Sequence, residues 1–239
     1  MDVHGLRMAI RERIRSDSRY QWCPVHVSCS SVVSLCRVSK EQRISSKEDT
    51  VGLLLETDSL PQFVWPAARS FASWVMLNEH LFLCKTVLEL GSGTGVGGLA
   101  ATALGHAKSV VLSDCSPVAL ALLDETVQRN LESRTNNLCA SALLKWGNEE
   151  HIEQVLAEHG KFDVVLGCDI FYFQNSLRVG LGTAHVMLSD GGLFVCSSAV
   201  RSDRMDFDLD TIPLQSGFDV LSCSESEELR TFVWKKSTD

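Results

Sequence analysis

Three stretches of the sequence gather residue types that bind or polarise a ligand. The first, Glu89-Leu90-Gly91-Ser92-Gly93-Thr94-Gly95-Val96-Gly97-Gly98, is an acid followed by closely spaced glycines. Glycines directly after a buried strand let the backbone turn sharply and let a ligand approach it closely. Gly93 to Gly98 formally reads G-x-G-x-x-G, the spacing that seats a dinucleotide pyrophosphate at a helix N-terminus, but the match begins after Gly91, the first glycine of the turn. The second stretch ends at Asp114, where a carboxylate at a strand's carboxyl end can accept hydrogen bonds from both hydroxyls of a ribose. The third, Gly167-Cys168-Asp169-Ile170-Phe171-Tyr172, delivers a carboxylate and a phenol to the edge of a parallel sheet where ligands bind. A carboxylate buried there costs free energy unless it is paired, which favours a cationic ligand, so Asp169 and Tyr172 are the catalytic candidates. Trp146, in Lys145-Trp146-Gly147, stands where an indole could pack on an adenine face.

Each of these residues also has a plain structural reading. Asp114 could cap the helix that begins near Pro117, although Ser116 can do the same. Asp169 could cap the helix after it, and Trp65 and Trp146 could be core anchors.

The elements that must position these groups follow from apolar patterning. Apolar runs at 87–90, 109–113, 139–144, 162–168, 193–197, 218–222 and 231–235 read as seven core strands. Helical patterns lie between them at 99–104, 118–131, 152–159 and 177–188, and another begins at Pro66, with Trp65 at its entrance. Strands alternating with helices predict an α/β protein: a doubly wound, seven-stranded Rossmann-like sheet with an antiparallel C-terminal hairpin. Residues 22–38 alternate apolar with polar, and Val51–Glu56 is a second apolar run. The charged segment Ser39–Thr50 between them reads as a hairpin loop, giving a small N-terminal β extension. The division expected is an N-terminal arm and β-rich extension over 1–60 and one domain over 61–239. Asp190-Gly191-Gly192 reads as a turn, and Arg201–Asp210 as a charged loop that could border the substrate entrance.

Composition narrows the function classes. The 239 residues are 45% apolar, enough for one core, yet no run approaches the roughly 20 apolar residues of a membrane span. Residues 1–20 are arginine-rich but lack a secretory h-region; Asp2, Glu12 and Asp17 also speak against a mitochondrial presequence, so a frayed or helical arm is expected. Nine cysteines with no C-x-x-C pair support neither zinc nor a disulfide framework, and fit a reduced, cytosolic or nuclear setting. The net charge of −8 disfavours nucleic acid and suits a basic protein segment as partner.

Glu89 followed by Gly91, Gly93 and Gly95 resembles motif I of the class I S-adenosylmethionine-dependent methyltransferases. That ligand has no phosphates and carries an ammonium and a sulfonium, so a nearby carboxylate is electrostatically apt. Together with Val64-Trp65-Pro66-Ala67-Ala68, Ser113-Asp114, Leu144-Lys145-Trp146-Gly147 and Gly167 to Tyr172, the chain over roughly 50–235 resembles methyltransferase family 16, the seven-β-strand protein lysine methyltransferases. The resemblance implies that Trp65, Glu89, Gly91, Ser92, Gly93, Asp114, Trp146 and Cys168 hold S-adenosylmethionine. Cys168 departs from the small residue usual there. It further implies that Asp169 and Tyr172, as a D-x-x-Y motif, flank the transferred methyl. The expected activity is methyl transfer to a lysine of a protein substrate by a monomer, with no metal, nucleic acid or membrane involved. A histidine or small-molecule N-methyltransferase and a noncatalytic module of the same fold stand as alternatives.

Overall fold

The computed structural model describes residues 2–26, 32–38, 58, 60–103, 107–131, 138–172, 174–200, 209 and 211–238. In chain order the elements are α1 (Val3–Ser16), β1 (Tyr20–His26), β2 (Val32–Val38), α2 (Pro66–Leu77), β3 (Thr86–Leu90), α3 (Val96–Ala103), β4 (Ser109–Asp114) and α4 (Pro117–Leu131). They continue as β5 (Leu138–Leu143), α5 (Glu149–His159), β6 (Phe162–Cys168), α6 (Gln174–Met187), β7 (Leu188–Ala199), α7 (Ile212–Gln215), β8 (Phe218–Glu225) and β9 (Leu229–Lys236).

Seven strands form one sheet in the order β5-β4-β3-β6-β7-β9-β8. The first five run parallel, while β9 is antiparallel to both β7 and β8, as the apolar runs predicted. From β3 the chain winds outward to β4 and β5, then returns to β6 on the other side of β3. That reversal opens a crevice at the carboxyl ends of β3 and β6, the switch point at which doubly wound sheets bind ligands. Registers align these ends: Leu90 pairs with Gly167, and Asp114 with Leu143.

Alternation along β3 distributes the two core layers. Val87 packs with Phe71 and Val75 of α2 and Leu99 of α3 on one face, while Leu88 and Leu90 pack with Phe194, Leu177 and Leu181 on the other. By the same period of two, Glu89 points to the α2 and α3 side of a strand buried on both faces. Pro66 opens α2 at its first turn with Trp65 extended before it, and Asn148 caps α5 by accepting the His151 amide at 2.9 Å.

The N-terminal extension differs in detail from its sequence reading. β1 and β2 pair with each other, Tyr20 with Val38 through His26 with Val32, so the stretch 22–38 that reads as one alternating run holds two paired strands. The apolar and polar residues that alternate over much of 22–38 concealed the break, although Ser28, Ser30 and Ser31 are a polar cluster of the kind that interrupts a strand. The apolar run 51–56 and the loop 39–50 lie outside the described residues, as does nearly all of 201–210. The arm itself is helical: α1 buries Ile10 and Ile14 against Val118, Ala121 and Leu122 of α4. The Asp190-Gly191-Gly192 turn lies inside β7, where Phe162 pairs with Leu188 but Val164 with Leu193, leaving 189–192 bulged.

Close approach of α3 to β4 sets the height of the glycine turn. A Cβ on Gly98 would stand 2.4 Å from Leu112 Cδ2 and 3.1 Å from Val110 Cγ1, so Gly98→Ala is expected to destabilise the protein by about 1–3 kcal/mol. Gly182, exposed on α6 with nothing within 4 Å of a built Cβ, makes the opposite case. Gly182→Ala should stabilise by about 0.5–1 kcal/mol, both values read from urea unfolding.

Candidate active site

The carboxyl edge of β3, β4, β5 and β6 encloses a cavity of about 870 Å³, within the range that holds a nucleoside-sized ligand. All ten residues singled out from the sequence line it: Trp65, Glu89, Gly91, Ser92, Gly93, Asp114, Trp146, Cys168, Asp169 and Tyr172.

The glycine turn is shaped by contact on both sides. Gly91 and Gly93 have φ of +58° and +51°, a region that side chains rarely adopt. A Cβ on Gly91 would press on Ile170 Cγ2 at 3.0 Å and lie 3.4 Å from the Trp146 ring. The turn is pinned to the next strand: the Ser92 amide donates to the Ser113 carbonyl at 2.9 Å, and the Gly93 amide donates to Asp114 Oδ2 at 3.0 Å. Asp114 Oδ1 accepts the Ser116 amide at 3.0 Å, and Ser116 Oγ accepts the Ala119 amide at 3.0 Å. Ser116 therefore caps α4, leaving Asp114 to the cavity. Burial raises the Asp114 carboxyl above its ordinary range, opposed by the Ser116 and Gly93 amides.

Trp146 sits in a turn held from three sides. The Lys145 amide donates to His151 Nδ1 at 3.1 Å, the Asn148 amide to the Lys145 carbonyl at 3.0 Å, and the Gly147 amide to Thr183 Oγ1 at 3.0 Å. Its ring meets Phe171 edge-on, with centroids 5.9 Å apart. Trp65 is 45% exposed, which removes the core-anchor reading, and its Nε1 donates to the Leu60 carbonyl at 3.1 Å.

At the other end, Asp169 has φ of +55°, uncommon for a residue with a side chain. Its amide donates to the Ser197 carbonyl at 2.7 Å, and its Oδ1 accepts the Ala199 amide at 3.1 Å, so two bonds to β7 hold the turn. Asp169 precedes Gln174, the first residue of α6, by five positions, too far to serve as its cap. Tyr172 is 54% exposed at the cavity mouth.

Glu89 is 3% exposed, and burial pushes its carboxyl up to about 7, against the pull of the Gly98 and Gly97 amides. Its Oε2 is buried with no hydrogen-bond partner. A buried carboxyl with one oxygen left without a partner beneath a glycine cradle fits a ligand that brings positive charge. The cavity also takes in residues without a motif, among them Asp58, Phe63 and Asn175. Asn175 lies in the first turn of the helix after D-x-x-Y, a position that was open to inference, whereas Asp58 has no local signal.

Residues 44–207 match the lysine methyltransferase family. The chain belongs to that family. It is similar to EEF1A lysine methyltransferase 3 of Mus musculus, 32% identical over 142 residues covering 59% of this chain and 56% of that protein. It is also similar to protein N-lysine methyltransferase METTL21A of Danio rerio, 30% identical over 141 residues covering 59% and 62%. The matches thus span little more than half the length of these relatives. In fold it resembles the 16S rRNA N2 G1207 methyltransferase of T. thermophilus, with a TM-score of 0.60 and 17% identity, covering 92% of this chain and 51% of that one. The fold of this family member thereby has counterparts well outside the proteins it resembles in sequence.

Because Glu89 titrates higher in the folded protein than its ordinary 4.5, the folded state prefers it protonated. The contribution is fully present below about pH 4.5 and is lost as pH rises through about 7. Urea unfolding of the ligand-free protein from pH 5 to pH 8 should show wild-type stability falling relative to Glu89→Gln, by on the order of 3 kcal/mol across the range. Parallel profiles for the two proteins would place the titration elsewhere.

Proposed function

We propose that the protein is an S-adenosylmethionine-dependent protein-lysine N-methyltransferase. The observation that carries this reading is one cavity with a nucleoside-shaped end, formed by the glycine turn, Asp114 and Trp146, and a carboxylate–phenol end, formed by Asp169 and Tyr172. Family membership and the names of the similar proteins support the same reading.

In this assignment Asp114 accepts from the ribose hydroxyls, Trp146 packs on the adenine, Trp65, Ser92 and Cys168 line the slot, and Gly91 and Gly93 let the donor lie against the backbone. Glu89 offsets the donor's positive charge from beneath the turn. When bound, S-adenosylmethionine supplies an electrophilic methyl on a sulfonium, open to in-line displacement in which an N–C bond forms as the S–C bond breaks.

A lysine, with a reference pKa of about 10.4, must arrive at that methyl as the neutral amine. A carboxylate beside the ammonium would favour the charged form, so Asp169 is poorly suited as the general base. Its role is to hold and orient the incoming nitrogen, with Tyr172 narrowing the mouth and solvent taking the proton. The acceleration then comes from alignment, which the two bonds from Asp169 to β7 serve.

Among the described residues the cavity is lined by Asp58, Glu89, Asp114 and Asp169 against a single basic residue, Lys145, which favours a cationic side chain over a neutral small molecule. Among the described residues no helix is long and apolar enough to cross a membrane. Cys84, Cys115, Cys139, Cys168, Cys196 and Cys223 are free thiols, which suits a reducing cytosol or nucleus.

Incubation with labelled donor and a cell lysate, followed by mass spectrometry, is expected to place label on lysine. Label confined to histidine or to a protein-free extract would favour the other N-methyltransferase reading, and failure to bind the donor the noncatalytic module. Asp169→Ala should lower the transfer rate at least about a hundredfold while donor affinity stays close to wild type. Asp114→Ala should weaken the donor about tenfold to a hundredfold by calorimetry. Equal loss of binding and transfer in Asp169→Ala would end this division of roles.

A further inference from the structure

The N-terminal arm, α1 with the β1–β2 hairpin, lies ahead of the segment that matches the family and is joined to the cavity by a continuous line of hydrogen bonds. Arg7, Arg11 and Arg15, one turn of α1 apart, engage Asp124 and Glu125 of α4, so the arm is seated on the helix that Ser116 caps. At the start of β1 the Tyr20 hydroxyl donates to Gln62 Oε1 at 3.1 Å. Gln62 is 1% exposed, so its amide requires partners at both ends, and its Nε2 donates to the Asp58 carbonyl at 2.8 Å. Asp58 lines the cavity, and its Oδ2 accepts from Ser116 Oγ.

Ser116 is where this line meets the ligand-holding acid. It donates its hydroxyl to Asp58 and its amide to Asp114 Oδ1. Two carboxylates drawn to one serine repel each other, and Asp58 contributes to raising the Asp114 carboxyl. Such a pair is relieved by further hydrogen-bond donors. A nucleoside brings them as ribose hydroxyls and an exocyclic amine, and the Ser116 bond uses only one of about four acceptor sites on the Asp58 carboxylate.

We propose that Asp58 is a further ligand-binding residue at the nucleoside end of the cavity, held there by Gln62 and Tyr20 as positioning residues, so that the arm is a constituent of the donor site. The proposal rests on the methyl-donor reading given above. It makes the arm's contacts with the core a determinant of donor affinity, a role distinct from substrate docking.

Calorimetric titration of the full chain with S-adenosylhomocysteine tests both levels separately. A wild-type protein that does not bind overturns the donor reading and this proposal with it. With wild-type binding established, Asp58→Asn, which keeps an acceptor for Ser116 but loses the charge, is expected to weaken affinity about tenfold. Tyr20→Phe is expected to weaken it about threefold to fivefold. The double variant should be no weaker than Asp58→Asn alone, because Tyr20 acts through Asp58. Unchanged or tighter binding by Asp58→Asn overturns the assignment, and losses that multiply overturn the relay. Where a variant's free form unfolds more readily, the ligand-induced shift of its unfolding midpoint decides: a reduced shift supports the proposal, and a wild-type shift counts against it.

Discussion

A strand buried on both faces must satisfy its backbone within the ladder, and in a doubly wound sheet that protection stops together at the carboxyl ends of two neighbouring strands. Here those strands are β3 and β6, paired through Leu90 and Gly167. The very next residues, Gly91 and Cys168, are already cavity lining. Both chains then bend into the left-handed region within two residues of the last pair, at Gly91 and at Asp169. The bends face each other, and Ile170 fills the space where a side chain on Gly91 would stand. Neither turn can change shape without displacing the other, so the crevice and its two functional ends are consequences of one packing arrangement.

That arrangement carries an electrostatic burden. After Thr86 at its start, β3 is apolar except for Glu89, whose side chain the pleat directs inward beneath Gly97 and Gly98. A carboxyl in the middle of a buried strand contradicts the local pattern on which the strand depends, and such conflicts concentrate where a site is being built. The protein tolerates it through two partial compensations: the amides at the start of α3, and protonation that becomes accessible near neutral pH. A cationic ligand completes what those amides leave undone.

How much of this could be read from the residues alone depends on the range of the interactions. The glycine turn, Asp114, Trp146 and the Asp169–Tyr172 pair each follow directly from a strand end, and a strand end is legible because apolar runs and glycines mark it. Burial of Trp65 was not legible: an aromatic before Pro66 suits a core anchor and a cavity wall equally, and only its 45% exposure separates them. The pairing of β1 with β2 was obscured because apolar and polar residues alternate over much of 22–38 and no glycine separates the two strands. Asp58, Gln62 and Tyr20 had no pattern at all, since their partners lie 58 and 42 positions away in sequence or on a 3₁₀ turn with no motif. Polar residues recruited by tertiary contact leave no periodicity to detect.

The two ends of the cavity are anchored in different ways, and this bears on how the chemistry is divided. The nucleoside end is held by backbone amides of the turn and of α4, which offer donors to carboxylates and cost little to align. The Asp169 end, proposed to be the transfer end, is held by β7: the backbone of Asp169 is bonded to Ser197 and its carboxylate to Ala199, both on a strand that is itself gripped between β6 and β9. A group that must orient an incoming nitrogen to within about 1 Å gains from attachment to a sheet, because loops allow larger excursions. Under the proposed assignment, donor affinity would vary with the arm and the turn while the alignment at the methyl would stay with the sheet. That separation lets one fold keep its reaction geometry as the segments around the donor change.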